Sequence, residues 1–95
     1  MPTPNVLFQL VCSADDPQVP SRVLGIFAAR SVLPERYVSE LVAGSVRIDV
    51  GIHVTGTETF DCRHLARVLC RIATVETMRL TINGRRVAFE LEGGS

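Results

Sequence analysis

A chain of 95 residues has room for one domain, and at this size folding buries only about 60 to 65% of the surface that the unfolded chain exposes, so its core must be thin. Hydrophobic residues make up 46% and charged residues 21%, with four Phe, one Tyr and no Trp, which supplies an aliphatic core but no aromatic platform for stacking bases. Ten Arg balance ten Asp and Glu, so no global field draws the chain to nucleic acid or anionic lipid, and the complete lack of Lys excludes Schiff-base chemistry and a Walker phosphate loop.

Asn5 to Cys12 alternates, with Val6, Phe8, Leu10 and Cys12 on one face and Leu7, Gln9 and Val11 on the other, the pattern of a central strand. Ser13 to Pro20 is polar and holds two prolines, after which Val19, Val23, Ile26, Phe27 and Arg30 follow helical spacing. This predicts a helix from near Pro17 to near Arg30. Asp15 or Asp16 is placed to cap it, and Pro17 suits the first helical position because its missing N–H would have no partner there. Pro20 fits less well, so an irregular first turn is expected.

Tyr37, Leu41 and Ala43 share a face with Val46, Ile48, Val50, Ile52 and Val54 if Gly44-Ser45 forms a two-residue hairpin turn. That register sets Glu40 opposite Asp49, an unfavourable like-charge pair, so either the register is off by a residue or a cation compensates. Gly56 to Thr59 breaks the pattern. Phe60 to Ala73 then puts Leu65, Val68, Leu69 and Ile72 on one side of a second helix with Thr59 as its cap, and Arg63, Arg67 and Arg71 on another side. Met78 to Ile82, Asn83-Gly84 and Arg85 to Leu91 read as a hairpin, because Asn-Gly supplies the positive φ angles of a type I′ turn. The expected pairs are Ile82 with Arg85, Leu80 with Val87 and Met78 with Phe89. Residues 92 to 95 read as a frayed tail.

The order βαββαβ plus one strand predicts an α+β fold. It is a ferredoxin-like sandwich in which an extra C-terminal β-strand forms a hairpin with the fourth strand, in a single domain over residues 1–95 with its core at 5–91. The first and third strands would be central, the second an edge, and the fifth would cover the fourth. One open edge invites pairing with another copy, and Leu7, Val11, Val38 and Val42 on the helix-free face add apolar contact, so a homodimer is expected.

No segment reaches the roughly 18 to 20 apolar residues that cross a bilayer, and Met1 to Asn5 lacks the basic start of a signal peptide, so a cytoplasmic protein that does not engage a membrane is expected. Cys12, Cys62 and Cys70 are odd in number and none belongs to a Cys-x-x-Cys pair. Cys62 and Cys70 lie about 12 Å apart along a helix, beyond disulfide reach, so buried free thiols are expected.

The stretch Asp15-Asp-Pro-Gln-Val-Pro-Ser-Arg-Val-Leu-Gly-Ile-Phe27-Ala-Ala-Arg30 resembles, without a gap, the ACT-domain pattern D/N-x-P-G-x-L-x-R-[IV]-x-G-[VL]-F-x-x-R. The matches are Asp15, Pro17, Arg22, Val23, Gly25, Phe27 and Arg30. Leu65-Ala-Arg-Val-Leu69-Cys-Arg-Ile72-Ala-Thr-Val75 is similar to the family's second helix and its entry into the fourth strand. Within the family the chain looks most like the small regulatory subunits of acetohydroxyacid (acetolactate) synthase, which are similar in length and carry N-P-x-x-L-x-R-V-L in this loop and helix.

The resemblance implies a non-catalytic regulatory module of amino-acid metabolism, here of branched-chain biosynthesis. It would be a homodimer, would associate with a large catalytic subunit and would take a small amino-acid effector between the loop after the first strand and a neighbouring copy. On that pattern Asp15 would face the ligand ammonium, with Asp16 a further candidate contact. The backbone of Gln18 and Val19 would face its carboxylate, with Ser13 a weaker contact. Gln18 replaces the family's Gly, and Leu33 replaces a polar Asn near the second strand. A free-standing sensor of a small metabolite is the alternative.

The other constellations favour plainer roles. Asp15-Asp16 has no third ligand nearby and suits a cap rather than a metal, and Cys62 and His64, two apart on a helix, point to different sides, so no metal or other cofactor is expected. The arginines of the second helix suit a solvated face. An acylphosphatase-like hydrolase would need a basic, Gly-rich loop where this one is acidic, and no Ser-His-Asp or Cys-His spacing exists, so no enzyme activity is expected.

Overall fold

β1 (Val6–Ser13) buries every second residue, as its alternation requires: Val6, Phe8, Leu10 and Cys12 are sealed from solvent, while Leu7, Gln9 and Val11 turn to the opposite, half-exposed face. The computed structural model describes residues 4–54, 61–72 and 74–88. Around β1 it arranges α1 (Val19–Ala29), β2 (Arg36–Val42), β3 (Ser45–Ile52), α2 (Cys62–Cys70), β4 (Val75–Ile82) and β5 (Arg85–Val87). The strands form one sheet in the order β2-β3-β1-β4-β5, and every adjacent pair is antiparallel. The result is α+β, compatible with a ferredoxin-like sandwich.

Both helices cover the same face of the sheet. Val23 and Phe27 of α1 and Leu65 and Leu69 of α2 share one buried cluster with Phe8, Ile48, Val50 and Leu80. At its centre the rings of Phe8 and Phe27 meet edge to face, 5.3 Å between centroids. Such a pair adds about 0.5–1.5 kcal/mol beyond the area it buries. No helix among the described residues is long and apolar enough to cross a membrane.

α1 begins two residues later than the proline spacing suggested. The carboxylate of Asp16 accepts the Gln18 N–H at 3.1 Å and the Asp16 carbonyl accepts the Val19 N–H at 3.4 Å, so the chain is held in a turn through Pro17 and Gln18. Pro20, not Pro17, lies in the first helical turn, where it has no intrahelical donor to lose. The other end closes as a Schellman motif: the Val32 N–H reaches the Phe27 carbonyl and the Ser31 N–H the Ala28 carbonyl, both at 3.0 Å. Ser31 adopts φ 57°, the left-handed position usually given to Gly.

The β2–β3 register differs from the expectation, and the difference removes the like-charge pair. The turn is Ala43-Gly44 instead of Gly44-Ser45, with φ 49° and 81°. Val42 therefore faces Ser45 and Glu40 faces Arg47. A type I′ turn needs positive φ at both central residues, and this placement puts Gly at the second of them. Tyr37 and Leu41 keep their expected face, opposite Val50 and Val46, because the pairing moves by two residues in total.

α2 starts at Cys62, not Phe60, because Asp61 is its cap: the Asp61 carboxylate accepts the His64 N–H at 3.0 Å. Thr59, expected in that role, lies outside the described residues. The β4–β5 hairpin has the expected turn, with Asn83 at φ 52° and Gly84 at 78°, and pairs Ile82 with Arg85 and Leu80 with Val87. β5 stops at Val87, short of the expected end, with Ala88 outside the strand; the expected pair of Met78 with Phe89 and residues 89–91 lie outside the described residues. Arg63 of α2 donates to the Ala88 carbonyl at 3.3 Å, tying the helix to the end of the fifth strand.

Two stability predictions follow from these ends. Ser31→Gly relieves the left-handed strain of a residue with a Cβ and stabilises the protein by about 0.5–1 kcal/mol, read as a higher urea midpoint; an unchanged or lower midpoint contradicts the strain. The His64 N–H holds the Asp61 carboxyl below its ordinary value of 3.8. Its contribution is therefore complete above that value and disappears as the pH falls through the lower folded value. Asp61→Ala is less stable than wild type at neutral pH, and the gap closes in acid well below 3.8; a gap independent of pH contradicts the ionised cap.

Candidate functional site

The loop between β1 and α1 is pinned at both sides. Ser13 donates its N–H to the Thr74 carbonyl at 3.0 Å, and Ala14 donates to the Gly44 carbonyl of the β2–β3 turn at 3.3 Å. The Ser13 hydroxyl accepts the Asp15 N–H at 3.2 Å. Asp16 is the hub. One of its oxygens takes the Gln18 N–H, and the other takes the Thr74 hydroxyl at 3.4 Å and lies 3.9 Å from Arg22. With Arg22 largely exposed, that ion pair contributes little.

Ser13, Asp15, Asp16, Gln18 and Val19 therefore do come together, but their donors point into the loop. Of the N–H groups at the start of α1, those of Gln18 and Val19 are both taken by Asp16, and Pro20 has none. Val19 is fully buried. Asp15 and Gln18 are exposed, so the Asp15 carboxylate is the charged group that this loop presents to solvent. Leu33 is elsewhere. It is 88% exposed, in a connection that meets the sheet where Glu35 donates to the Gly51 carbonyl, whereas Ser13 faces Ser45 at the other end of β3. Six residues of strand separate those ends, about 20 Å.

Below the loop lies a thiol with no access to solvent. Burial pushes Cys12 up from the usual thiol range, and the carboxylates of Glu76 and Asp16 push it the same way. Cys62 and Cys70 are also raised, chiefly by burial, and all three cysteines are free. None has the electropositive, exposed setting of a reactive cysteine. The described residues hold no group of three or more His, Cys, Asp or Glu placed to bind a metal.

Sequence reasoning missed two features. Thr74, a partner of Asp16 and Ser13, lies 58 residues from Asp16 in the chain, and no local pattern marks it. A depression of about 290 Å³ on the helix-free face gathers Gln9, Val11, Arg47, Thr77, Arg79 and Arg86. Its one local signal was the polar Gln9 between Leu7 and Val11 on the second face of β1. A wider groove of about 620 Å³ runs along β4 and β5 past Cys70, Met78 and Val87.

Comparison with known proteins gives no matching family model and no significant match to a curated protein.

The loop's bonding predicts unequal roles for its two carboxylates. Asp16→Ala removes acceptors for one N–H and one hydroxyl and costs about 1–2 kcal/mol in urea unfolding, while Asp15→Ala stays within about 0.5 kcal/mol of wild type. Equal losses would show that Asp16 is not the hub.

Proposed function

We propose that the chain is a non-catalytic, ACT-like regulatory module. It pairs with a second copy and serves as a regulatory or stabilising small subunit of a cytoplasmic amino-acid biosynthetic enzyme such as acetolactate synthase. The observation that carries this reading is the free edge of β2. That strand pairs only with β3 among the described residues, and it leaves Leu41 72% and Val42 41% exposed. An unpaired edge with apolar side chains is a template for another strand.

Antiparallel pairing of two β2 edges about a twofold axis sets the Arg36 end of one copy beside the Val42 end of the other. The β2–β3 turn is bonded to the loop through Ala14 and Gly44, so the partner's Leu33 then approaches Ser13, Asp15 and Gln18. The residues that one chain holds about 20 Å apart would meet between two. An apolar Leu33 at that junction, and Gln18 and Val19 N–H groups already occupied, favour an interaction surface over an amino-acid pocket. In the alternative, a free-standing sensor, the exposed Asp15 would receive the ammonium of a small ligand.

Light scattering should give a dimer, and Leu41→Arg should give a folded monomer with unchanged circular dichroism. A monomeric wild type removes the pairing. Co-purification with a large thiamine-dependent synthase and a change in that enzyme's activity support the subunit role, and an unchanged activity sinks it. A thermal-shift screen of the amino acids decides for the sensor, since a ligand at 100 times its Kd stabilises by about 2.7 kcal/mol.

A further inference from the structure

The face of the sheet away from the helices has an uneven charge pattern that the zero net charge of the chain conceals. Strand register fixes the layout. Gln9 lies between Asp49 on β3 and Arg79 on β4. One step toward the β2–β3 turn, Val11 lies between Arg47 and Thr77; one step the other way, Thr81 faces Arg86. With strands about 4.8 Å apart and alternate residues about 7 Å apart, the Cα atoms of Arg47 and Arg79 are separated by on the order of 12 Å. Two extended arginine side chains span that distance, and the depression of about 290 Å³ lies between them.

Three guanidinium groups thus border one depression with a single carboxylate, Asp49, among its lining residues. Among the described residues Arg47, Arg79 and Arg86 make no ion pair, so direct contact neutralises none of the three. Arg47 has Glu40 opposite it, but on the strand farther from the depression. Asp49 is two strands from Arg79, about 10 Å away. Three cations against one carboxylate leave an excess of positive charge around the depression, and an anion between them offsets that repulsion.

Volume and lining narrow the occupant. The depression equals roughly ten waters and sits at the lower limit of small-molecule sites. The register positions of this face near it are Leu7, Gln9, Val11, Thr77 and Thr81, with no aromatic ring to stack a base. Guanidinium forks match carboxylate and phosphate groups two bonds at a time, while Thr77 and Gln9 offer a neutral donor each.

We propose that this depression binds a small anion bearing two or more acidic groups, carboxylate or phosphate, with one acidic group held by Arg79 and Arg86 and another by Arg47, and with Gln9 and Thr77 hydrogen-bonding its middle. The site is separate from the β1–α1 loop, and pairing through the β2 edge leaves it uncovered.

The test is titration calorimetry and amide NMR on the full chain with succinate and citrate in one arm and pyrophosphate in the other, against potassium chloride at matched ionic strength. Saturable binding in either arm, with shifts at Gln9, Thr77 and Arg79, supports the site, and the arm that binds identifies carboxylate or phosphate as the recognised group. Arg79→Gln and Arg47→Gln, each checked for an unchanged melting temperature, should weaken binding at least roughly tenfold. Arg30→Gln on α1 should not. Shifts no larger than those with chloride in both arms, or equal affinity in Arg79→Gln, overturn the proposal.

Discussion

Phe8 sits where every layer of the molecule meets. It pairs with Val50 on one side and Leu80 on the other, and its ring lies against Phe27 of α1. β1 is the middle strand of the five, and the inward residues Val6, Phe8, Leu10 and Cys12 are all buried in the one cluster that both helices join, so they carry much of what a thin core can bury. The sheet, the placement of α1 and the position of the loop after β1 all depend on that row of side chains.

The ends of the elements are set by different chemistry. At Ser31, Ala43 and Asn83 the backbone takes the left-handed conformation without a glycine, with φ of 57°, 49° and 52°. Each closes a tight return, and tertiary packing of the elements on either side offsets the local strain. Asn5 plays a related part at the start of β1. Its amide donates to the Val54 carbonyl at 2.7 Å and accepts the Val54 N–H at 2.8 Å, while its carbonyl takes the Asn83 N–H at 2.8 Å. One side chain thus joins the end of β3, and its backbone joins the last hairpin. Pro4 lies against Gly51 nearby, where an added Cβ would come within 2.9 Å of the proline ring.

The proposed roles fall on a loop, an edge and a face. The loop is bonded internally around Asp16, which holds its shape and occupies the N–H groups of Gln18 and Val19. The edge of β2 pairs with no strand beyond β3 among the described residues and exposes Leu41 and Val42. The helix-free face has the opposite character, with arginines that no carboxylate of the described residues contacts. In the proposed dimer the edge and the loop meet at the junction of two copies, while the helix-free face stays accessible.

Local rules were legible in the sequence wherever neighbouring residues alone supply the energy. The alternation of β1, the Asn83-Gly84 turn and its register, and the apolar faces of both helices follow from period and turn chemistry, which act over a few residues. The like-charge pair of Glu40 with Asp49 even signalled that the expected β2–β3 register was wrong. What only the tertiary structure decided depends on groups far apart in the chain. Asp16 reaches Thr74 instead of capping α1 directly, Leu33 and the loop stand at opposite ends of the sandwich, and arginines from three strands meet around Gln9. No window of sequence contains those neighbours, because strand pairing and the crossing of the helices bring them together.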